Sequence, residues 1–323
     1  MNNKKPFANK ILQFISAFEP RSEFGGGVVT TRFIKILSIY DEISWFRKNN
    51  ESRILRYLRI LLIWLKTPYI YPIFCGYPLK LITRDRENII LNFSQCFSLL
   101  ERYKFSNSTL IVHDVYIQKR LPIIAWLAFS EKRLLKKADK IITLSEKDKK
   151  IITRFYKIDK KKVENYLPKI FPELHFFQKK IVNIKKFRVV FLGSLLRIEN
   201  KRGFDWFYEH VFPSCSDKID VTCIGMLSEQ DMSTYPNINF CGFVEDLSLK
   251  LKDFDLSIAP LIDGAGIKIK VVDMLGAEIP VLGTSKAFEG LGRPCHPFCS
   301  NDAKQWIEVL NTKKLFFEYQ PPN

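Results

Sequence analysis

Residues 259–291 read APLIDGAGIKIKVVDMLGAEIPVLGTSKAFEGL. An apolar segment ends at Pro260, a loop carrying Gly264, Ala265 and Gly266 turns the chain, a helical pattern opens at Ile267, and a short apolar segment follows Pro280. Strand, glycine loop, helix and strand in that order form a βαβ unit, the building block of parallel sheets covered by helices. Such a loop turns backbone N–H groups outward at the positive end of a helix, which makes a site for an anion. The pattern puts Lys268 and Lys270 in the first helical turn, where they oppose the helix dipole, so they call for an anionic partner such as a phosphate or diphosphate. Asp273 falls two turns in on the Gly266 side, where a carboxylate can accept hydrogen bonds from sugar or ribose hydroxyls.

The same alternation extends outward in both directions. Strands are expected at 188–192, 220–224, 238–241, 256–259 and 281–282, with helices near 203–211, 247–252 and 267–275. In the first half, strands are expected at 11–18, 89–93, 109–113 and 140–144, with helices at 28–39, 52–66 and 121–137. The fold class is therefore α/β, with two open parallel sheets. Residues 166–186 hold two prolines and no clean period, which places the division there and gives domains 1–178 and 179–323. A chain of 323 residues suits two domains of roughly 150 each. Its 46% apolar and 14% aromatic content excludes disorder, collagen and coiled coil.

The longest apolar run, ILLIWL at 60–65, is closed by Lys66 and Pro68 and falls far short of the ~20 residues that span a bilayer. The apolar stretch at 11–18 is followed by Glu19, Pro20 and Arg21 rather than a small-residue cleavage site, and reads as the first strand. Seven scattered cysteines without a CxxC pair suit reduced thiols in a cytoplasmic protein. Cys295, His296 and Cys299 lack a second ligand pair, and Asp253 with Asp255 lies where a helix passes into a buried strand, so no metal site is expected.

The net charge of +17 is uneven: residues 1–180 carry 35 Lys+Arg against 16 Asp+Glu, and residues 181–323 carry 16 against 18. A half at +19 meets polyanions, either nucleic acid or an anionic membrane surface. On the helix at 52–66, Arg53, Arg56 and Arg59 form a basic stripe, and Leu55, Leu58, Leu62 and Trp64 are expected on the opposite side. That composition is found in interfacial helices and equally in a helix with one solvated and one core face.

Four stretches in order carry a family resemblance: residues 259–291, FLGSLLRIENKRGFDWFYEHVFP at 191–213, NINFCGFVEDL at 237–247 and KADKIITLSEKD at 137–148. Together they resemble the retaining GT-B glycosyltransferases of family 4, or group 1. The resemblance implies two Rossmann-like domains facing a central cleft, the first for the acceptor and the second for a nucleotide sugar. It implies that Gly193 lies under the diphosphate, that Arg197 or Lys201 reaches the phosphates with Lys268 and Lys270, and that Phe243 and Val244 line the base. Gly264, Ala265, Gly266 and Asp273 complete this donor site. Ala265 and Asp273 stand where the family usually has two glutamates, and the loss of both leaves open a catalytically silent scaffold protein.

In the first half, PRSEFGGGVVTTRF at 20–33 resembles the family's glycine loop, so Gly25, Gly26 and Gly27 are expected at the acceptor, with Asp114 and Arg120. His113 ends an expected strand, where open α/β sheets bind ligands. The resemblance makes it the catalytic candidate beside Lys268; as a lone histidine it also reads as a satisfied structural residue. The implied activity is transfer with retention from a nucleotide diphosphate sugar, a co-substrate, with no other cofactor. The implied acceptor is a saccharide or a lipid-linked saccharide of cell-surface polysaccharide synthesis, at the inner face of the plasma membrane. Nucleic-acid binding is the third reading, weakened by the absence of any recognised nucleic-acid module.

Overall fold

The computed structural model describes the chain except for residues 1–11, 18, 21–24, 38–41, 46–52, 76–87, 119–122, 167–185, 245, 265, 278, 292–297 and 313–323. It divides into two compact units, Met1–Ile170 and Phe171–Asn323. The expected division at 178/179 falls in a stretch outside the described residues.

The first unit is a six-stranded parallel sheet with strands β1 (Leu12–Ser16), β2 (Glu42–Trp45), β3 (Asn88–Asn92), β4 (Asn107–Val112), β5 (Lys140–Thr143) and β6 (Val163–Asn165). Their spatial order is β2-β1-β3-β4-β5-β6. Its longer helices are α1 (Gly25–Ile36), α2 (Arg53–Lys66) and α3 (Ile124–Lys137). Strand residues Ile15, Leu91, Leu110 and Val112 are buried in one cluster with Leu127, Leu134 and Leu135 of α3. α1 opens at Gly25 rather than Val28, so the glycine run forms its first turn. The cause is burial at helical spacing: Gly27, Thr30, Phe33 and Leu37 are all buried, which carries the helix back to the glycines.

The second unit holds a five-stranded parallel sheet: β7 (Phe187–Leu192), β8 (Ile219–Ile224), β9 (Asn239–Gly242), β10 (Leu256–Ala259) and β11 (Val281–Gly283). The order is β11-β10-β7-β8-β9. Helices α4 (Ile198–His210), α5 (Ile269–Gly276) and α6 (Ala303–Thr312) are the longer ones here. Alternation along β7 sends Val189 and Phe191 into a core with Phe204, Phe207 and Trp306, and Val190 into another with Ile224, Leu251 and Phe254. Asp255 accepts from the Arg188 backbone N at 3.0 Å and from its Nε and Nη2 at 3.1 and 2.9 Å, so the Asp253/Asp255 pair is structural.

Helix α2 departs from expectation. Ile63 is its buried residue, and Trp64 turns inward to meet the Trp126 ring at 6.0 Å, so Trp64 does not belong to the outer face. Ile54, Leu55, Tyr57, Leu58, Leu61, Leu62 and Leu65 are between 46% and 71% exposed. The apolar stripe of this helix thus faces outward, where a helix in a soluble domain presents its polar side. No helix among the described residues is long and apolar enough to cross a membrane.

Two close fits hold the elements that lead to the strand ends. A Cβ added to Gly203 of α4 would come within 2.1 Å of the Pro260 carbonyl oxygen, so only glycine lets α4 rest on the end of β10. Glu131 of α3 is buried and accepts from the Tyr116 backbone N at 3.0 and 3.2 Å and from the Tyr156 hydroxyl at 2.6 Å, fastening the turn after β4. Burial pushes its carboxyl up to about 8 against the downward pull of those hydrogen bonds.

Gly203→Ala should lower stability by ~1–3 kcal/mol, the usual range for overpacking, read from urea unfolding. Glu131 is neutral in the folded chain and ionises in the unfolded chain above about 4.5, so its contribution is full below that pH and is lost as pH rises towards 8. Urea unfolding at pH 5 and pH 8 should therefore show a smaller loss of stability in Glu131→Gln than in the wild type. Equal losses would show that Glu131 is ionised in the fold.

Candidate functional site

In an open parallel sheet, ligands bind outside the carboxyl ends of the strands where the strand order reverses. In the second unit that point lies between β7 and β10, since the chain leaves β7 for β8 on one side and returns to β10 on the other. The loops that emerge there are the ones singled out by sequence.

Gly193 follows β7, and its N donates to the Ile224 carbonyl at 2.8 Å. A Cβ on Gly193 would come within 2.9 Å of Asn200 Nδ2 and 3.1 Å of Lys270 Nζ. A Cβ on Gly225, after β8, would come within 2.5 Å of the Gly193 carbonyl group. Two glycines thus let two side chains and two strand ends converge. Lys270 Nζ donates to Asn200 Oδ1 at 2.9 Å and sits 4.9 Å from the centre of the Phe191 ring. Asn200 Nδ2 in turn donates to the Ser194 carbonyl at 2.8 Å.

The helix after the loop begins at Ile269 rather than Ile267, so Lys268 is the residue that caps α5 and Lys270 is in its first turn. The two positive-φ glycines, Gly264 at 107° and Gly266 at 68°, are what bend the loop back to that start. Lys268 Nζ donates to the Gly266 carbonyl at 2.7 Å. Arg197 caps α4, with its guanidinium largely exposed and 3.8 Å from Glu199. Burial, then the positive charges of Arg197 and Lys268, lower the Lys270 ammonium to about 7. Arg197, Lys268, Lys270 and the N-termini of α4 and α5 therefore lie near one strand end, with Glu199 beside Arg197, and the charges of Arg197 and Lys268 make an ammonium at Lys270 harder to keep.

Other expected donor residues are placed differently. Lys201 turns to the region of residues 228–235, donating to Asp231 at 2.6 Å and to the Tyr235 hydroxyl at 3.1 Å. Phe243 is exposed just past β9, and Val244 packs on the cluster of Val190 and Ile224. Asp273 is half-buried in α5, and Ala265 lies outside the described residues.

In the first unit the order reverses between β1 and β3. Ser16 ends β1, Asn92 ends β3 and His113 follows β4. Asn92 Nδ2 donates to Ser16 Oγ at 3.0 Å and to Thr30 Oγ1 of α1 at 2.9 Å, and Asn92 Oδ1 lies 2.7 Å from His113 Nε2. Phe93 stacks on the His113 ring at 3.5 Å and 9°, and takes φ of 73° to do so. That region is sparsely populated by residues with a Cβ, at a strain of order 1–3 kcal/mol. Burial lowers His113 to about 3, so its imidazole is neutral. Gly25, Gly26 and Gly27 open α1 at this end, Asp114 is half-buried beside His113, and Arg120 lies outside the described residues.

Asn200, Asn92 and Phe93 escaped the sequence reading. Asn92 did carry a signal, a lone amide ending an apolar strand, where a buried polar group must have partners.

The chain matches the family model described as "Glycosyl transferases group 1" over residues 186–310. An uncharacterised 44.6 kDa protein in the cps region of Klebsiella pneumoniae is 25% identical over 270 residues, covering 79% of this chain and 63% of that protein. The chain thus spans less than two thirds of that relative. Among solved structures, Anabaena Alr3699/HepE in complex with UDP and glucose superposes with a TM-score of 0.57 at 11% identity, over 94% of this chain and 89% of that one. WaaG, a glycosyltransferase involved in lipopolysaccharide biosynthesis, does so with a TM-score of 0.57 at 12% identity, over 95% and 91%. These likenesses establish the α/β GT-B fold. Residues 186–310 are thus similar to the group 1 glycosyl transferases.

Proposed function

We propose that the protein transfers a sugar, with retention of configuration, from a nucleotide diphosphate sugar to a saccharide or lipid-linked saccharide acceptor. The observation that carries this reading is the electron-poor strand-end site around Lys270, with Arg197, Lys268 and two helix N-termini. Charge develops on the diphosphate as the sugar departs, and fixed positive groups aimed at that charge are commonly the largest catalytic term. Those groups act on the co-substrate directly, and no other cofactor enters the proposal. His113 is assigned to the reacting sugar, and the α1 glycines with Asp114 and Arg120 to the acceptor. The relative in a cps region and the likeness to WaaG support a role in cell-surface polysaccharide synthesis.

The same reading puts the protein at the cytoplasmic leaflet of the plasma membrane. α2 carries four basic residues and no carboxylate, and its exposed stripe is apolar. An anionic leaflet accepts both features. Each Lys or Arg near such a surface contributes about 1 kcal/mol.

Titration calorimetry with UDP, GDP and ADP tests the donor site. Lys270→Met and Lys268→Ala should each weaken the best nucleotide at least tenfold, since a charge-assisted hydrogen bond is worth ~1.5–3 kcal/mol. Free Lys270 is half-protonated at about pH 7 and a diphosphate requires the ammonium, so affinity should be full below pH 7 and decline above it. Binding by none of the three nucleotides would leave the scaffold reading.

Sedimentation with vesicles tests the surface. The full chain should bind vesicles containing phosphatidylglycerol and ignore neutral ones, and Leu58→Asp with Leu62→Asp should abolish the fraction that resists high salt. Equal binding to both vesicle types would exclude an electrostatic role for the basic half.

A further inference from the structure

The amide of Asn92 has two N–H donors and one acceptor oxygen. Both donors have partners, Ser16 Oγ at 3.0 Å and Thr30 Oγ1 at 2.9 Å, and the oxygen faces His113 Nε2, 2.7 Å away. An oxygen can only accept, so the hydrogen of that bond has to sit on Nε2. Phe93 lies flat against the ring at 3.5 Å and Phe33 of α1 meets it edge-on at 6.3 Å, and turning the ring over in that plane would forfeit the bond to Asn92.

We propose that Asn92 is a positioning residue that holds His113 as the Nε2–H tautomer, so that Nδ1 is an acceptor and His113 receives a hydrogen bond from a substrate hydroxyl. An Nε2–H imidazole has no other polar hydrogen, and its only lone pair is on Nδ1. The neutral state agrees with the lowering of His113 to about 3 by burial.

The arrangement also accounts for two features that packing alone leaves unexplained. The unusual backbone of Phe93, φ 73°, is what lays its ring on the imidazole and fixes the plane in which Nδ1 points. The polar junction of Ser16, Thr30 and Asn92, buried where apolar residues would serve a core, supplies both amide N–H groups with acceptors. A ligand recognised here presents a hydroxyl as donor, and an analogue with fluorine at that position lacks the hydrogen the site requires. The identity of that ligand as a sugar or acceptor rests on the proposed transferase activity; the tautomer rests on Asn92 alone.

Long-range 1H–15N correlation on the full chain labelled with 15N-histidine decides the matter without any turnover. The protein has four histidines, and the His113 signals are those missing in His113→Gln. Expected at pH 7 is a protonated, pyrrole-like Nε2 and an unprotonated, pyridine-like Nδ1. Thr30→Val and Ser16→Ala free one amide donor each and should populate the opposite tautomer. Asn92→Asp should hold the ring as a cation, with both nitrogens pyrrole-like. An Nδ1–H pattern in the wild type overturns the proposal, as do unchanged signals in the Thr30 and Ser16 variants, which stand in if Asn92→Asp does not fold. The expected tautomer in a protein that binds none of the nucleotides would uphold the role of Asn92 and remove only the sugar.

Discussion

The contact between Gly203 and the Pro260 carbonyl sets the geometry of the second unit. A helix normally keeps a strand end at the distance that side chains impose, and the missing Cβ removes that spacer. Helix α4 consequently lies on the chain at the point where it leaves β10 for the glycine loop. Arg197 and Asn200, at the start of α4, are thereby carried to Lys270, at the start of α5. Two helices that begin near one strand end bring their positive poles together, which favours an anion there. The fit of a backbone to a backbone is thus the origin of the electrostatics.

The first unit solves a related problem by other means. Among the described residues its strand ends carry no comparable group of cations and are joined by one amide, two hydroxyls and an imidazole. Such a junction is stable in a dry interior only when each polar group is satisfied. The junction is therefore built from hydrogen-bond direction rather than from charge.

Much of this was legible in the chain. The βαβ pattern at 259–291 determines strand, loop and helix because apolar period, glycine and proline agree there. The short edge strands β2 and β6 were not legible, since four residues such as EISW or three such as VEN carry too little pattern to separate from loop. Lys201 shows a second limit. By spacing it is as good a phosphate ligand as Arg197, and only the position of Asp231 and Tyr235, 30 residues or more away, turns it aside. Asn92 shows a third, because its partners come from β1, α1 and the end of β4, and nothing local announces that convergence. The outward face of α2 reverses the usual inference: its hydrophobic period was plain, but period alone does not say which side meets the core.

That outward face has a consequence for the protein as a colloid. Seven exposed apolar side chains on one helix are an adhesive surface, and dispersed chains would coalesce through it if nothing opposed them. The opposing force is the net charge of +17, all of it from the same half of the chain. Suspension then depends on repulsion reaching further than the apolar contact, which ties solubility to the thickness of the ionic atmosphere. Dilute salt favours dispersed chains; concentrated salt, or a soluble polyanion, collapses the repulsion and leaves the adhesive stripe in command.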